Sequence, residues 1–371
     1  VPDISGPFAA WRLVELHDQQ VLQARLHPGV PADDPALSEW LARWPGRRYV
    51  QSGGDGVEIT LTRRARVRTR ERWWLHALLL VLTLATATVA GCLLVPGDPM
   101  GWAESAGHAI PVPARYDLRS VAPGLWFSLP LLCILGAHEA GHWALARRHG
   151  MDVSPPWFLP APPLLSPIGT FGAFIRIRSP LINRAALLDM GAAGPLAGFV
   201  LAVPVYLAGL MMSQPLAQRF SGASLAVMTG DGALPLGESI LLHVLRAATP
   251  MGHAPLVLLH PLAAAGWFGL FFTALNLFPI SQLDGGHVVY SLSPRAHRVA
   301  SRATLALLLG MGWLYTGWWF WAGLVLMIGR GKLAHPPVFD PGFRLDARRR
   351  AVAWACLVIF VIAWVPIPFV L

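Results

Sequence analysis

The chain has 371 residues, 54% of them hydrophobic and only 13% charged, about half the charged share of an ordinary soluble domain. Its apolar residues gather in blocks of about 20, the length that crosses a bilayer, so the composition speaks for a multi-pass membrane protein. The net charge of +9 sits in arginines at block edges, which points to membrane topology and away from nucleic acid.

Residues 1–72 read as a small water-facing α/β domain. AWRLVELHDQQVLQARL and PALSEWLARW are each predicted as a short helix, and GDGVEITLTRR as a strand after a Gly-Asp-Gly turn. The domain ends in RRARVRTRER, six arginines just ahead of the first apolar block, where a cytoplasmic anchor is expected. No secretory signal is predicted before that block, because about 70 mostly polar residues precede it.

Spans are predicted at 73–95, 123–146, 185–212, 255–280, 299–315, 317–330 and 350–371, with 299–330 readable as one span or two. Arginines follow the second and fourth spans and lie between the sixth and seventh, whereas the opposite loops, 96–122 and 213–254, carry few charges. That asymmetry predicts a cytoplasmic N-terminus. Cys92, Cys133 and Cys356 fall in or beside apolar blocks without a pairing pattern, which argues against a disulfide scaffold.

Residues 150–184 fit neither a span nor an ordinary loop. WFLPAPPLLSPIGTFGAFIRIRS is apolar, rich in Pro and Gly, and alternates as a strand from Ala173 to Arg178. Such a backbone cannot face lipid unpaired, so a re-entrant segment or an interfacial loop is expected. The fold class is therefore an all-α polytopic membrane protein of about seven transmembrane helices, with a re-entrant β-containing segment and a small α/β N-terminal cytoplasmic domain. Its parts are the soluble domain 1–72, the first span and external loop 73–122, a membrane core 123–290, and C-terminal helices 291–371.

The second span contains LGAHEAGHW. His138 and His142 are four residues apart, on one face of a helix, so both imidazoles can reach one ion. Glu139 is within reach of a water at that ion, which is the arrangement of two ligands and a general base found in zinc hydrolases. A buried carboxylate at membrane depth costs several kcal/mol unless it is paired or serves a metal. A catalytic site needs a third protein ligand. Asp284, in ALNLFPISQLDGGHVVY, is a candidate, with a helix cap as its other reading. The predicted topology puts the HEAGH segment and Asp284 on the same membrane side, at the cytoplasmic ends of the second and fourth spans.

HEAGH at 138–142 together with NLFPISQLDGG at 276–286 resembles the site-2 protease family of intramembrane zinc metalloproteases. GTFGAFIRIRSPLINRAALLDMGAAGPLAG at 169–198 resembles the family's central region, and order and spacing agree over about 123–290. Weaker similarity in the N-terminal domain and in HPPVFDP at 335–341 points to the branch with plant chloroplast and prokaryotic members; no PDZ-like domain is visible. The resemblance implies one zinc ion held by His138, His142 and Asp284, with Glu139 activating the water. It also implies a membrane-anchored protein substrate, no nucleic acid and no small-molecule cofactor. Asn276 matches a family asparagine that could hold the substrate backbone or the oxyanion; interhelical hydrogen bonding is its other reading. In GAFIRIR, Gly172, Ala173 and Phe174 are candidates for pairing with an extended substrate, against a strand that merely plugs the fold.

Gly194 and Gly198 form a GxxxG pattern, read first as helix packing. His76 and His260 read as interfacial or capping residues, His287 as a support for the ligands, and Asp189 as a functional carboxylate by its membrane depth or else a structural partner of Arg184. The competing function is a zinc-binding transporter or channel without proteolytic activity, which intramembrane His and Asp would also serve. A glutamate directly after the first ligand is what a hydrolase needs and a conduction path does not.

Overall fold

A computed structural model describes residues 8–15, 19–53, 56–64, 71–95, 100–105, 108–113, 121–162, 165–178, 183–217, 222–229, 232–336, 338 and 344–370. Most of the arginine run before Trp73, and part of HPPVFDP, lie outside these residues.

The first 64 residues build an antiparallel sheet of four strands, β1 (Phe8–Glu15), β2 (Gln19–Leu26), β3 (Arg47–Gly53) and β4 (Gly56–Arg64), in the order β1-β2-β4-β3. One helix, α1 (Pro35–Ala42), is capped by the Asp34 carboxylate, which accepts from the Leu37 N–H. Leu22, Leu37, Ile59 and Leu61 fill the core beneath it. The segment expected as a first helix is instead the β1–β2 hairpin. Leu22, Ala24 and Leu26 are buried while Gln23 and Arg25 between them are not, a period of two that favours a strand over a helix.

Beyond it the chain is mostly helical. Among the described residues the helices are α2 (Trp73–Cys92), α3 (Leu125–Arg148), α4 (Arg184–Met211), α5 (Ile240–Ala247), α6 (Pro261–Asn276), α7 (Asp284–Leu292), α8 (Pro294–Met311), α9 (Gly317–Ile328) and α10 (Ala347–Ala363). Two of them, α2 and α4, are long and apolar enough to cross a membrane; α6 and α9 are shorter apolar helices. A core of Phe127, Leu131, Ile134, Ala202, Tyr206, Trp267 and Leu270 joins α3, α4 and α6.

The all-α expectation is corrected by the sheets. A hairpin of β5 (Met100–Ser105) and β6 (His108–Pro113) follows α2. The segment read as a loop at 213–254 carries β9 (Gln214–Leu216), β10 (Leu225–Thr229) and β11 (Gly232–Leu236). With β12 (Leu256–Leu258) they form a sheet in the order β11-β10-β12-β9. The predicted fourth span therefore begins as a strand, and its helix starts only at Pro261. The last predicted span is also shorter: α10 stops at Ala363, and the tail returns to bridge Phe369 to Leu236 beside β11.

Between α3 and α4 lies a second hairpin, β7 (Trp157–Pro160) with β8 (Thr170–Phe174). The strand starts earlier than the alternation from Ala173 suggested, and past Phe174 only a bridge from Ile177 to Val153 continues it. At Gly172 the φ of +99° belongs to glycine's range, and the register shifts there, so β8 is bulged. Helix α2 grips this segment. His76 Nδ1 lies 3.0 Å from the Pro156 carbonyl, Thr86 donates to the Gly169 carbonyl at 2.6 Å, and Arg178 bonds Glu71 just before α2. The charge and hydrogen bond of Arg178 hold the Glu71 carboxyl below its ordinary range.

Candidate metal centre

Helix α3 presents His138 and His142 one turn apart on a single buried face. Their Nε2 atoms are 3.0 Å from each other, and each is 3.3 Å from Asp284 Oδ2. Asp284 is the first residue of α7, not its cap, and its carboxylate turns toward the two rings. The turn before it is held from α8: Ser301 Oγ accepts from the Ser281 N–H at 3.2 Å, and His297 Nε2 lies 3.0 Å from the Ser281 carbonyl.

The donor set fits a divalent cation. His142 Nδ1 lies 2.8 Å from the Met190 carbonyl, which can only accept, so the proton is assigned to Nδ1 and Nε2 offers a lone pair. With both rings neutral, as metal ligation requires, at most one proton, on His138 Nε2, is then left among the three converging atoms. Zinc bound tetrahedrally at about 2.05 Å would need its donors about 3.3 Å apart, close to the 3.0 and 3.3 Å found. Among the described residues this is the one group of three or more His, Cys, Asp or Glu that could hold a metal ion.

Glycines on α4 make the room. A Cβ at Gly194 would lie 2.1 Å from His142 Nε2 itself, and one at Gly198 would lie 3.4 Å from His138. The GxxxG pattern is thus a seat for the ligand rings as well as a packing motif. Gly285 sits in the first turn of α7, where a Cβ would collide with the Leu277 carbonyl at 1.9 Å.

Glu139 is buried beside the first ligand, and its carboxylate is within reach of the Ile175 N–H just past β8. Asn276, the last residue of α6, has its amide nitrogen 3.5 Å from His138 Nε2. Gly172 and Ala173 are partly exposed and Phe174 is exposed, on a strand whose one hydrogen-bonded neighbour among the described strands is β7.

Three readings change. Asp189 pairs with His149 and, bidentately, with Arg349, whereas Arg184 donates to the Ser291 and Leu292 carbonyls. Among the described residues His287 makes no hydrogen bond to the ligands; its Nδ1 lies 2.8 Å from His335 Nε2, and His335 stacks on Tyr290. His335 opens the HPPVFDP segment, whose resemblance to the family gave this histidine no role. His76 does not cap: its ring lies 3.8 Å from that of Trp157, whereas His260 does cap α6.

Fold and site together define a mostly helical protein with a candidate centre of two histidines and an aspartate around one cation. Residues 126–314, about half of the chain, match the model of peptidase family M50, and the chain belongs to that family. It is 31% identical over 232 residues to the "Probable zinc metalloprotease EGY2, chloroplastic" of Arabidopsis thaliana, covering 59% of this chain and 38% of that protein. The protein so named from Oryza sativa subsp. indica is 30% identical, covering 68% and 44%, and "Probable zinc metalloprotease EGY1, chloroplastic" of Arabidopsis thaliana is 30% identical, covering 68% and 45%. The chain thus spans less than half the length of these relatives. No solved structure matches it.

Proposed function

We propose that the chain is an intramembrane zinc metalloprotease that hydrolyses a peptide bond in or near the transmembrane segment of a membrane-anchored, regulatory protein. The observation that carries this is the convergence of His138, His142 and Asp284 within 3.3 Å of one another, with Glu139 buried alongside, in a member of family M50.

His138, His142 and Asp284 would hold the zinc. When bound, the ion supplies Lewis acidity to a peptide carbonyl and to water. Glu139 takes the proton of the attacking water and returns it to the departing amide nitrogen. Asn276, beside His138, is placed to hold the substrate backbone or the oxyanion. A transmembrane helix hides its carbonyls in internal hydrogen bonds, so the substrate must open locally. The free edge of β8 at Gly172, Ala173 and Phe174 offers backbone groups to the extended segment.

The topology that supports this reading has seven spans, around α2, α3, α4, α6, α8, α9 and α10, with segment 150–184 re-entrant beside α2 and α3. Domain 1–72 then faces the cytoplasm, followed by the first span and external loop at 73–122, the catalytic core at 123–290 and the C-terminal helices at 291–371. The active site opens toward the cytoplasmic side. The Glu139→Gln protein tests the function: zinc content should stay at one per chain while cleavage of a transmembrane peptide falls by about 10²–10⁴-fold. Cleavage at the unaltered rate would remove Glu139 from this role.

A further inference from the structure

At the C-terminal end of α9, with none of the three ligands in its wall, is a cavity of about 620 Å³, within the range of small-ligand sites. Its wall includes Gln282, Ile328, Arg330, Lys332 and His335, and no acidic residue is among those described there. Arg330 and Lys332 are exposed, and neither joins an ion pair among the described residues. Nor are these side chains needed to cap α9. Its final carbonyls accept backbone N–H groups: Val325 from Gly329, Leu326 from Gly331, and Met327 from Arg330. Among the described residues, then, two cations line the same hollow with no partner for their charge.

Just before them in the chain, Met327 and Ile328 are 69% and 55% exposed on an apolar helix. Exposed hydrocarbon beside paired cations matches the boundary between acyl chain and headgroup. The wall also includes the turn that presents Asp284: Ser281 Oγ donates to the Lys332 carbonyl at 3.3 Å, and Gln282 is two residues from the aspartate.

We propose that this cavity binds the phosphate group of an anionic phospholipid through Arg330 and Lys332, and that the bound headgroup braces the 280–284 turn carrying Asp284. The proposal rests on the membrane-spanning reading above but not on proteolysis, so its test reads lipid binding and can be run on the Glu139→Gln protein.

The full chain is titrated with phosphatidylglycerol and with phosphatidylcholine, and retained lipid is counted by native mass spectrometry. Phosphatidylglycerol should be preferred, and Arg330→Gln/Lys332→Gln should weaken its binding about 30-fold. Arg295→Gln/Arg298→Gln, which removes two exposed cations outside the cavity wall, should leave binding nearly unchanged. Equal losses in the two double variants would mean diffuse surface charge and overturn the site. So would equal binding of both lipids, or complete displacement by inorganic phosphate at the lipid's own concentration, which would make it a free-anion site. Hydrogen exchange at 280–284 should slow when phosphatidylglycerol is added; unchanged exchange would overturn the coupling to Asp284.

Discussion

Gly194→Ala separates a packing role for the GPLAG glycines from a role in seating the metal ligands. The new methyl carbon would lie 2.1 Å from His142 Nε2 and 2.4 and 2.5 Å from its neighbouring ring carbons, where ordinary contact begins at 3.4 Å. Ring or helix must therefore yield by about 1.3 Å. The helices cannot absorb this easily, because α3 and α4 already touch at Gly141, where a Cβ would meet the Ala193 carbonyl at 2.4 Å. Zinc sites tolerate ligand shifts of only about 0.2 Å, so His142 would be lost as a ligand. Disturbing a mere supporting residue weakens metal binding by about 10–100-fold; Gly194→Ala should exceed 100-fold. Zinc competition against a chelator, with helicity measured in parallel, reads the effect. Gly198→Ala is the internal control, since its methyl would stand at an ordinary 3.4 Å from His138 and should cost little. Normal zinc affinity in Gly194→Ala would refute the reasoning, and equal damage from both variants would return the motif to helix packing.

Asp284→Asn should release zinc while leaving α3 folded, measured as zinc per chain after chelator challenge. Proline placed in turn at 172, 173 and 174 should impair cleavage of a transmembrane peptide with zinc retained; indifference at every position would discard β8 as the substrate edge. Outside the spans, burial alone would raise the pKa of Glu238, but bonds from Arg246 and Ser224 outweigh it and hold the carboxyl below its ordinary range. A depressed folded-state pKa gives stability that is full above the unfolded value and lost as pH falls through the folded one. The thermal midpoint should therefore drop below about pH 4. Glu238→Gln should lower the midpoint at neutral pH, by about 3 kcal/mol of lost stability, and shrink that acid dependence.

The two histidines and Glu139 were legible because ionisable groups four and three residues apart stand out in an apolar helix. Asp284 was reachable only as a candidate, since spacing in sequence does not say which way a carboxylate turns; the structure brings it to the histidines. Gly194 was read as helix packing, and GxxxG, which records small size, could not say that the ring of His142 fills the space beside it. The β1–β2 hairpin was hidden by enough apolar residues for either period. The sheet at 214–258 was hidden by its short strands and by an edge that the tail at Phe369 supplies from the far end of the chain. His335 lay in the HPPVFDP segment but had no role there, and its contacts with His287 and Tyr290 are what mark it.

The central claim is metal-dependent cleavage within a membrane. Purified chain is incubated with a single-span peptide in lipid, and the products are located by mass spectrometry before chelation, after it, and after zinc is restored. The account predicts a cut in or beside the span that chelator abolishes and zinc restores. Cleavage indifferent to chelator, or zinc flux with the peptide left whole, would contradict it.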